Sequence, residues 1–281
     1  MEELRSLLVH LDGGSHAAAR LVHARALAAR FEARLSALFA VSPHFVPVPL
    51  PAPGLGLPEA PLVDEVNPRT RRRARACFDH VTETSGWPVR WDEITGGDPV
   101  ETFARRALYA DLLVLGQHDP WDDDARDMPR DFVESVLAAS GTPALVLPRD
   151  VTAHAVVDAG CILVAWRPGR EAAHAVRGAL PLLQRAREVH LVNWSDDEAV
   201  QRLCLDELGE QLRLHAVEGL VRHEGPPPSD PGEALLALAA GIGADLLVMG
   251  CYGHHRAREL MLGGTTRTLL REARLPLLLA H

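Results

Sequence analysis

The residues best suited to chemistry lie near the carboxyl end of the chain. Gly250-Cys251-Tyr252-Gly253 is followed by nine residues, His254 to Leu262, and then by Gly263-Gly264-Thr265-Thr266 at the head of a helical pattern. Glycines let backbone N–H groups come close to a bulky anion, and a helix start favours phosphate through its unpaired N–H groups and its dipole. Thr265 and Thr266 add hydroxyl donors, while His254, His255, Arg256 and Arg258 place cationic or donor side chains beside the same segment. The same glycines serve equally well to make a turn and to end one helix before another. Near the amino end, Asp12-Gly13-Gly14-Ser15 follows an apolar run. Asp12 reads as a ligand residue or, preferably, as the N-cap of a helix beginning near Ser15.

These residues need a scaffold, and an internal repeat supplies it. Asp111-Leu112-Leu113-Val114-Leu115-Gly116 returns as Asp245-Leu246-Leu247-Val248-Met249-Gly250, and Leu7-Leu8-Val9 through Ala17-Ala18 returns as Ile162-Leu163-Val164 through Ala172-Ala173, with Asp12 opposite Arg167. The offset is 155 residues for the Leu7 match and 134 for the Asp111 match, so the first copy carries 21 extra residues between them. The Pro-rich stretch Pro43 to Pro68 is the natural place for such an insertion, as a surface loop or flap. We therefore expect two domains, residues 1–150 and 151–281, joined by a linker near Pro148 to Gly160.

In each copy short β-type runs alternate with longer helical patterns, which predicts βαβ units and a parallel sheet covered on both faces. Strands are expected near Ser6–Leu11, Arg34–Val41, Val89–Glu93, Asp111–Leu115 and Ala144–Leu147, and again near Cys161–Ala165, Glu188–Asn193, His215–Arg222, Asp245–Met249 and Pro276–Ala280. Helices of the second copy are expected near Arg170–Gln184, Glu198–Leu212, Gly232–Ile242 and Thr265–Glu272. The fold class is α/β: two tandem open five-stranded parallel sheets with helices on both faces, Rossmann-like. Ligands of such sheets bind beyond the carboxyl ends of the strands, which directs attention to the turns after Leu11, Leu115, Ala165 and Met249.

Composition narrows the function classes. With 281 residues, 47% of them hydrophobic, and a net charge of −9, the chain has material for cores and lacks the basic surplus of a nucleic-acid binder. The basic run Arg71-Arg72-Arg73 with Arg75 reads as a solvated helix face. No apolar run approaches the roughly 20 residues of a membrane span. Met1 to Arg5 shows no basic run ahead of an apolar one, so no export and a cytoplasmic location are expected. The four cysteines lie far apart and form no CxxC pair, and the 14 histidines are scattered, so no metal is expected.

The spacing Gly250-x-x-Gly253, nine residues, Gly263 and then small residues before a helix resembles the phosphate loop of the universal stress protein family, and the whole chain resembles its tandem form. That resemblance implies an adenine nucleotide alpha hydrolase-like sheet, with ATP as cofactor and Mg²⁺ only together with the nucleotide. Gly250, Gly253, Gly263, Gly264 and Thr265 would line the phosphates, with Thr266 and His254 beside them, and Val192 on the second strand would lie near the adenine. Ala165 ends the first strand of that copy. Arg167 stands where ATP-binding members usually place an Asp, a cation suited instead to a phosphate or carboxylate. Gly264 stands where a Ser is common.

The first copy shows the reverse pattern. It keeps Asp12, but Gly116 is followed by Gln117-His118-Asp119 and by Asp122, Asp123, Asp124, Asp127 and Asp131, whose carboxylates would repel phosphate. A solvated acidic loop is preferred there over a divalent-cation site, because calcium-loop spacing is missing. Trp166 and Trp194 are expected to close the core rather than stack on a base.

The expected function is a universal-stress-type regulatory protein whose C-terminal domain binds ATP or a related phosphorylated small molecule, with the N-terminal domain a structural partner. The alternative is a scaffold that binds no nucleotide. Slow ATP hydrolysis by positioned donors ranks below both, since the chain has no HxGH, SGGxDS, GxxxxGK[ST] or nucleophile-elbow motif. The last strands of the two copies are very apolar for sheet edges, so they are expected to pair as an intrachain pseudo-dimer, and a homodimer of chains can build on that.

Overall fold

The computed structural model describes residues 3–45, 64–84, 86–94, 96–150, 160–251 and 264–281. In chain order the first half runs β1 (Ser6–Leu11), α1 (Ala17–Phe31), β2 (Arg34–Phe39), β3 (His44–Phe45), β4 (Asp64–Glu65), α2 (Pro68–Glu83), β5 (Val89–Glu93), α3 (Pro99–Ala107), β6 (Leu112–Gly116), α4 (Phe132–Ser140) and β7 (Ala144–Leu147). The second half runs β8 (Cys161–Ala165), α5 (Arg170–Leu183), β9 (Glu188–Trp194), α6 (Glu198–Leu214), β10 (Leu220–Gly225), α7 (Pro231–Ile242), β11 (Leu246–Gly250), α8 (Gly264–Glu272) and β12 (Leu277–Ala280).

The sheet order is β10-β9-β8-β11-β12-β7-β6-β1-β2-β5, so each half contributes five parallel strands in the same order and the two meet where β12 and β7 pair antiparallel. The expected five-stranded sheets are thus halves of one ten-stranded sheet. The register at the join is Leu277↔Val146, Leu278↔Leu145 and Leu279↔Ala144. Alternation along both strands sends Leu145, Leu147, Leu278 and Ala280 into the core on one face, and Ala144, Val146, Leu277 and Leu279 into the core on the other. Both cores therefore run unbroken from one half to the other. These strands read as continuous apolar runs because neither face meets water.

The repeated aspartate has a structural cause. Asp111 Oδ2 accepts the backbone N–H groups of Arg5 and Ser6 at 2.8 Å each. Asp245 Oδ2 accepts those of Gly160 and Cys161 at 2.8 and 2.9 Å. In both halves one carboxylate ties the fourth strand to the head of the first. A second repeated device starts the helix before that strand: Asp98 caps α3 through the Glu101 N–H, Asp230 caps α7 through Gly232 and Glu233, and each is followed by Pro at the first helical position.

The extra length of the first half lies between β2 and β5. β3 and β4 pair antiparallel, His44↔Glu65 and Phe45↔Asp64, and close the base of the Pro43 to Pro68 stretch, whose residues 46–63 fall outside the described residues. Most of the expected linker, residues 151–159, falls outside them too. The Arg71 to Arg75 run lies in α2 as expected. One strand was misplaced from sequence: β10 begins at Leu220, because the chain leaves α6 through Ala216 at φ 58° and Gly219 at φ 65°, and such left-handed residues do not continue a strand.

Candidate functional site

Because the halves join antiparallel, the carboxyl ends of their strands lie at opposite edges of the sheet, and each half presents its own strand-end region there. In the first half β1 ends at Leu11 and delivers Asp12, which is buried. Its Oδ1 accepts the Gly14 N–H at 2.9 Å and its Oδ2 accepts Arg20 Nη2 at 2.9 Å. Arg20 also donates Nε to the carbonyl of His10 at 2.7 Å. Burial works against the Asp12 carboxylate, but the Arg20 guanidinium and the Gly14 N–H outweigh it and hold the group below the usual carboxylate range. The expected N-cap role is corrected: the capping position of α1 is His16, and Asp12 is committed to an ion pair.

The acidic segment folds back onto this edge. Asp122 Oδ2 accepts the Ser15 N–H at 2.7 Å and the Ser15 hydroxyl at 2.9 Å, which places a carboxylate at the N-terminal end of α1 where an anionic ligand would be welcome. Asp119 lies 3.0 Å from His16 Nε2 and 3.6 Å from Arg149 Nη1. Thr70 donates its hydroxyl to Asp127 at 2.5 Å, and Arg73 pairs with Asp124. The expectation of a solvated loop holds for Asp123 and Asp131, which are exposed, and is corrected for Asp119, Asp122, Asp124 and Asp127, which pair with groups of this half. Beneath them remains a cavity of about 40 Å³ lined by His10, Asp12, Arg20, Gly116 and Phe132 among others. That is room for water; small-molecule pockets run to roughly 300–1,000 Å³.

Gly116 and Arg20 explain each other, since a Cβ at Gly116 would run into the Arg20 guanidinium. His10 lies between Phe132, ring centroids 4.4 Å apart, and Phe103 at 5.4 Å, with Nε2 2.8 Å from the Ala40 carbonyl. Burial lowers its pKa to about 4, and it is neutral at pH 7.

In the second half Val192, Ala165 and Met249 stand side by side in register on β9, β8 and β11, and Gly250 ends β11 opposite Ala280. A Cβ at Gly250 would collide with the backbone of Glu171 and Ala172, so this glycine lets the first turn of α5 lie against the strand end. Arg167 is exposed in the turn between β8 and α5. Gly264 opens α8 with open space where a Cβ would be, Thr265 is half-buried and Thr266 is buried. Gly253, His254 and Gly263 lie outside the described residues.

Several groups that shape this edge had escaped the sequence reading. Asn193 donates Nδ2 to the Trp166 carbonyl at 2.7 Å and fixes the turn after β8. Gln201, buried on α6, donates to the carbonyls of Asn193 and, at 2.9 Å, of Gly225. Trp166 packs on the core of one sheet face and Trp194 on the other, so they close cores as expected. Cys251 is buried, its Sγ 3.2 Å from the Ala280 carbonyl, and burial pushes its thiol up to about 12, which removes it as a nucleophile. The missed Arg20 had one legible signal: it lies on the same face of α1 as Ala17, Leu21, Ala24 and Leu27, and a charge on an apolar face needs a partner.

Comparison with known proteins bears on both halves. A family profile described as the universal stress protein family matches residues 161–281. Across the whole chain, the fold is similar to a universal stress protein from Archaeoglobus fulgidus DSM 4304, with a TM-score of 0.67, 16% identity and 99% of this chain and 96% of that one covered. It is similar as well to a functionally unknown protein from Pseudomonas aeruginosa PAO1, with a TM-score of 0.65, 16% identity and 99% and 92% coverage. At these identities the likeness is one of fold. No curated protein matches the chain.

Proposed function

We propose that this chain, a tandem protein of universal stress protein fold whose residues 161–281 belong to that family, is a regulatory binding protein with one working site, in its second half. The ligand is ATP or a related phosphorylated small molecule, with Mg²⁺ entering only alongside it. The N-terminal half, residues 1–150, is its structural partner. The observation that carries the reading is the asymmetry of the two edges. In the first half the start of α1 is satisfied by Asp122 and the cavity is down to about 40 Å³, whereas the second half puts Arg167 where the first has Asp12, and glycines and threonines where the first has carboxylates. A cation and hydroxyl donors at a carboxyl edge suit an anionic ligand.

In this reading Val192 and Ala165 flank the base, and Gly250, Gly253, Gly263, Gly264, Thr265 and Thr266 receive the phosphates, with His254 and Arg167 at the rim. Calorimetric titration of the purified chain with ATP, with and without Mg²⁺, tests it. One equivalent should bind, and a Gly253→Val/Gly263→Val variant should lose it. Two equivalents would refute the structural role of the first half, and no saturable binding at millimolar ATP would leave the scaffold reading, for which the missing Asp at position 167 already speaks.

A further inference from the structure

At the opposite, amino edge of the second half three metal-ligand side chains meet. Cys161 opens β8 and Glu188 opens β9 directly beside it in register. His190 follows two residues later, so the period of a strand puts it on the same face as Glu188, with Cys161 and Leu163 beside them on β8. One ligand atom from each of Cys161, Glu188 and His190 lies within 4.8 Å of the others, and among the described residues this is the one such group. Four residues of strand at about 3.3 Å each separate Cys161 from Ala165, roughly 13 Å, so this cluster is distinct from the carboxyl-edge site.

We propose that Cys161, Glu188 and His190 form a binding site for a borderline-soft divalent cation of the Zn²⁺ class. The His190 Nε2 to Glu188 Oε2 distance is 3.4 Å. Two ligands bonded at 2.0–2.1 Å on a tetrahedral ion are about 3.4 Å apart, so this edge of the coordination shell is already set. The Sγ of Cys161 lies 3.7 Å from the Ile242 carbonyl, a weak contact that a small side-chain rotation exchanges for the metal. His190 is buried, and its second nitrogen, Nδ1, is 2.8 Å from His223 Nε2 on β10. When Nδ1–H donates to His223, the Nε2 lone pair is turned toward Glu188 and Cys161, the outer-shell arrangement that orients most metal-bound imidazoles. His223 is thus a positioning residue.

The donor set selects the ion. A thiolate, an imidazole and a carboxylate suit Zn²⁺ and disfavour Mg²⁺ and Ca²⁺, which want oxygen throughout. Glu188 is 45% exposed at its side chain, so the fourth coordination position opens to solvent and is filled by water. On binding, the Cys161 S–H bond is replaced by an S–metal bond and the thiol proton leaves to solvent.

Co²⁺ serves as the spectroscopic probe, added to the metal-free, reduced full-length protein, with Zn²⁺ as competitor. One equivalent of Co²⁺ should give a thiolate-to-cobalt charge-transfer band with the strong visible absorption of tetrahedral cobalt, and Zn²⁺ should abolish both. Cys161→Ala should remove the band. Glu188→Gln, at a half-exposed position that leaves the fold intact, should weaken binding at least tenfold, and His223→Asn by about 10- to 100-fold. Circular dichroism confirms that each variant is folded; if Cys161→Ala is not, the Glu188→Gln affinity decides. A folded wild-type protein with no charge-transfer band, a band that persists in Cys161→Ala, or an unchanged affinity in Glu188→Gln would each overturn the proposal.

Discussion

Acid should loosen the N-terminal half through His10 before it touches the Asp12 carboxylate. His10 is neutral in the folded protein because burial lowers its pKa from 6.5 to about 4. Above pH 6.5 neither the folded nor the unfolded form protonates this ring, and its contribution to stability is constant. Between pH 6.5 and 4 the unfolded chain takes up a proton that the native one refuses, so stability falls as pH falls, with a slope approaching 1.4 kcal/mol per pH unit. Over that window of about 2.5 units the loss is on the order of 3 kcal/mol. The shift at Asp12 runs from 3.8 downward, so its stabilisation is lost only below this window. His118 and His223 are displaced in the same direction, each first by burial, so the informative quantity is a difference between two proteins. His10→Phe keeps an aromatic ring between Phe103 and Phe132 and gives up the bond to the Ala40 carbonyl, a cost independent of pH. Urea unfolding followed by tryptophan fluorescence, at several pH values from 7.5 to 4.5, should show the wild type losing stability to acid faster than the variant, the gap narrowing by about 1.4 kcal/mol per unit at most. Parallel curves would mean that His10 titrates normally in the folded protein, and the account of a neutral, buried imidazole beside the Asp12–Arg20 pair would fail.

Two further outcomes follow from the same geometry. Arg20→Met should destabilise the protein by about 3–5 kcal/mol, because it leaves the buried Asp12 carboxylate without its cation, while Asp12→Asn/Arg20→Met should recover much of that loss in chemical denaturation. In native protein at pH 8, Cys251 should resist alkylation by iodoacetamide roughly a thousandfold relative to the unfolded chain, read by peptide mass spectrometry, since a thiol at about 12 is almost wholly protonated there.

How much of this was legible depended on the range of the interaction. Strand positions came through well, Ser6–Leu11, Val89–Glu93, Ala144–Leu147 and Cys161–Ala165 to the residue, because their apolar runs are bounded by local signals. The repeat came through because the Asp111 and Asp245 carboxylates do the same structural work twice. The apolar character of Ala144–Leu147 and Pro276–Ala280 announced a pairing, and β7 and β12 make it. What stayed hidden was whatever depends on register or on chain returning from a distance. Cys161 and His190 are 29 positions apart in sequence, and only the pairing of β8 with β9 makes them neighbours. Asp122 looked like one acid among many until the segment after β6 brought it to Ser15, 107 residues away. Asp12 was a local cap by sequence logic, and the partner that overruled this, Arg20, lies eight residues on, in the first turn of α1.

The divergence of the halves has a simple electrostatic form. In the first, Asp12 is neutralised by Arg20 from the following helix, and Arg20 fills the space over Gly116. In the second, the position matching Asp12 is Arg167 and the position matching Arg20 is Ala175, buried in α5, while the space over Gly250 is taken by the α5 backbone itself. Both glycines are required, for different fillers, so the shared Leu-Leu-Val-x-Gly ending shows common packing rather than common ligand chemistry. At its strand ends the first half holds a buried acid with its own cation and caps α1 with the Asp122 carboxylate; the second has an exposed arginine, Arg167, at the position matching Asp12. Since β12 finds its outer partner in β7 and both apolar cores continue through that join, the first half also completes the sheet and the cores of the second.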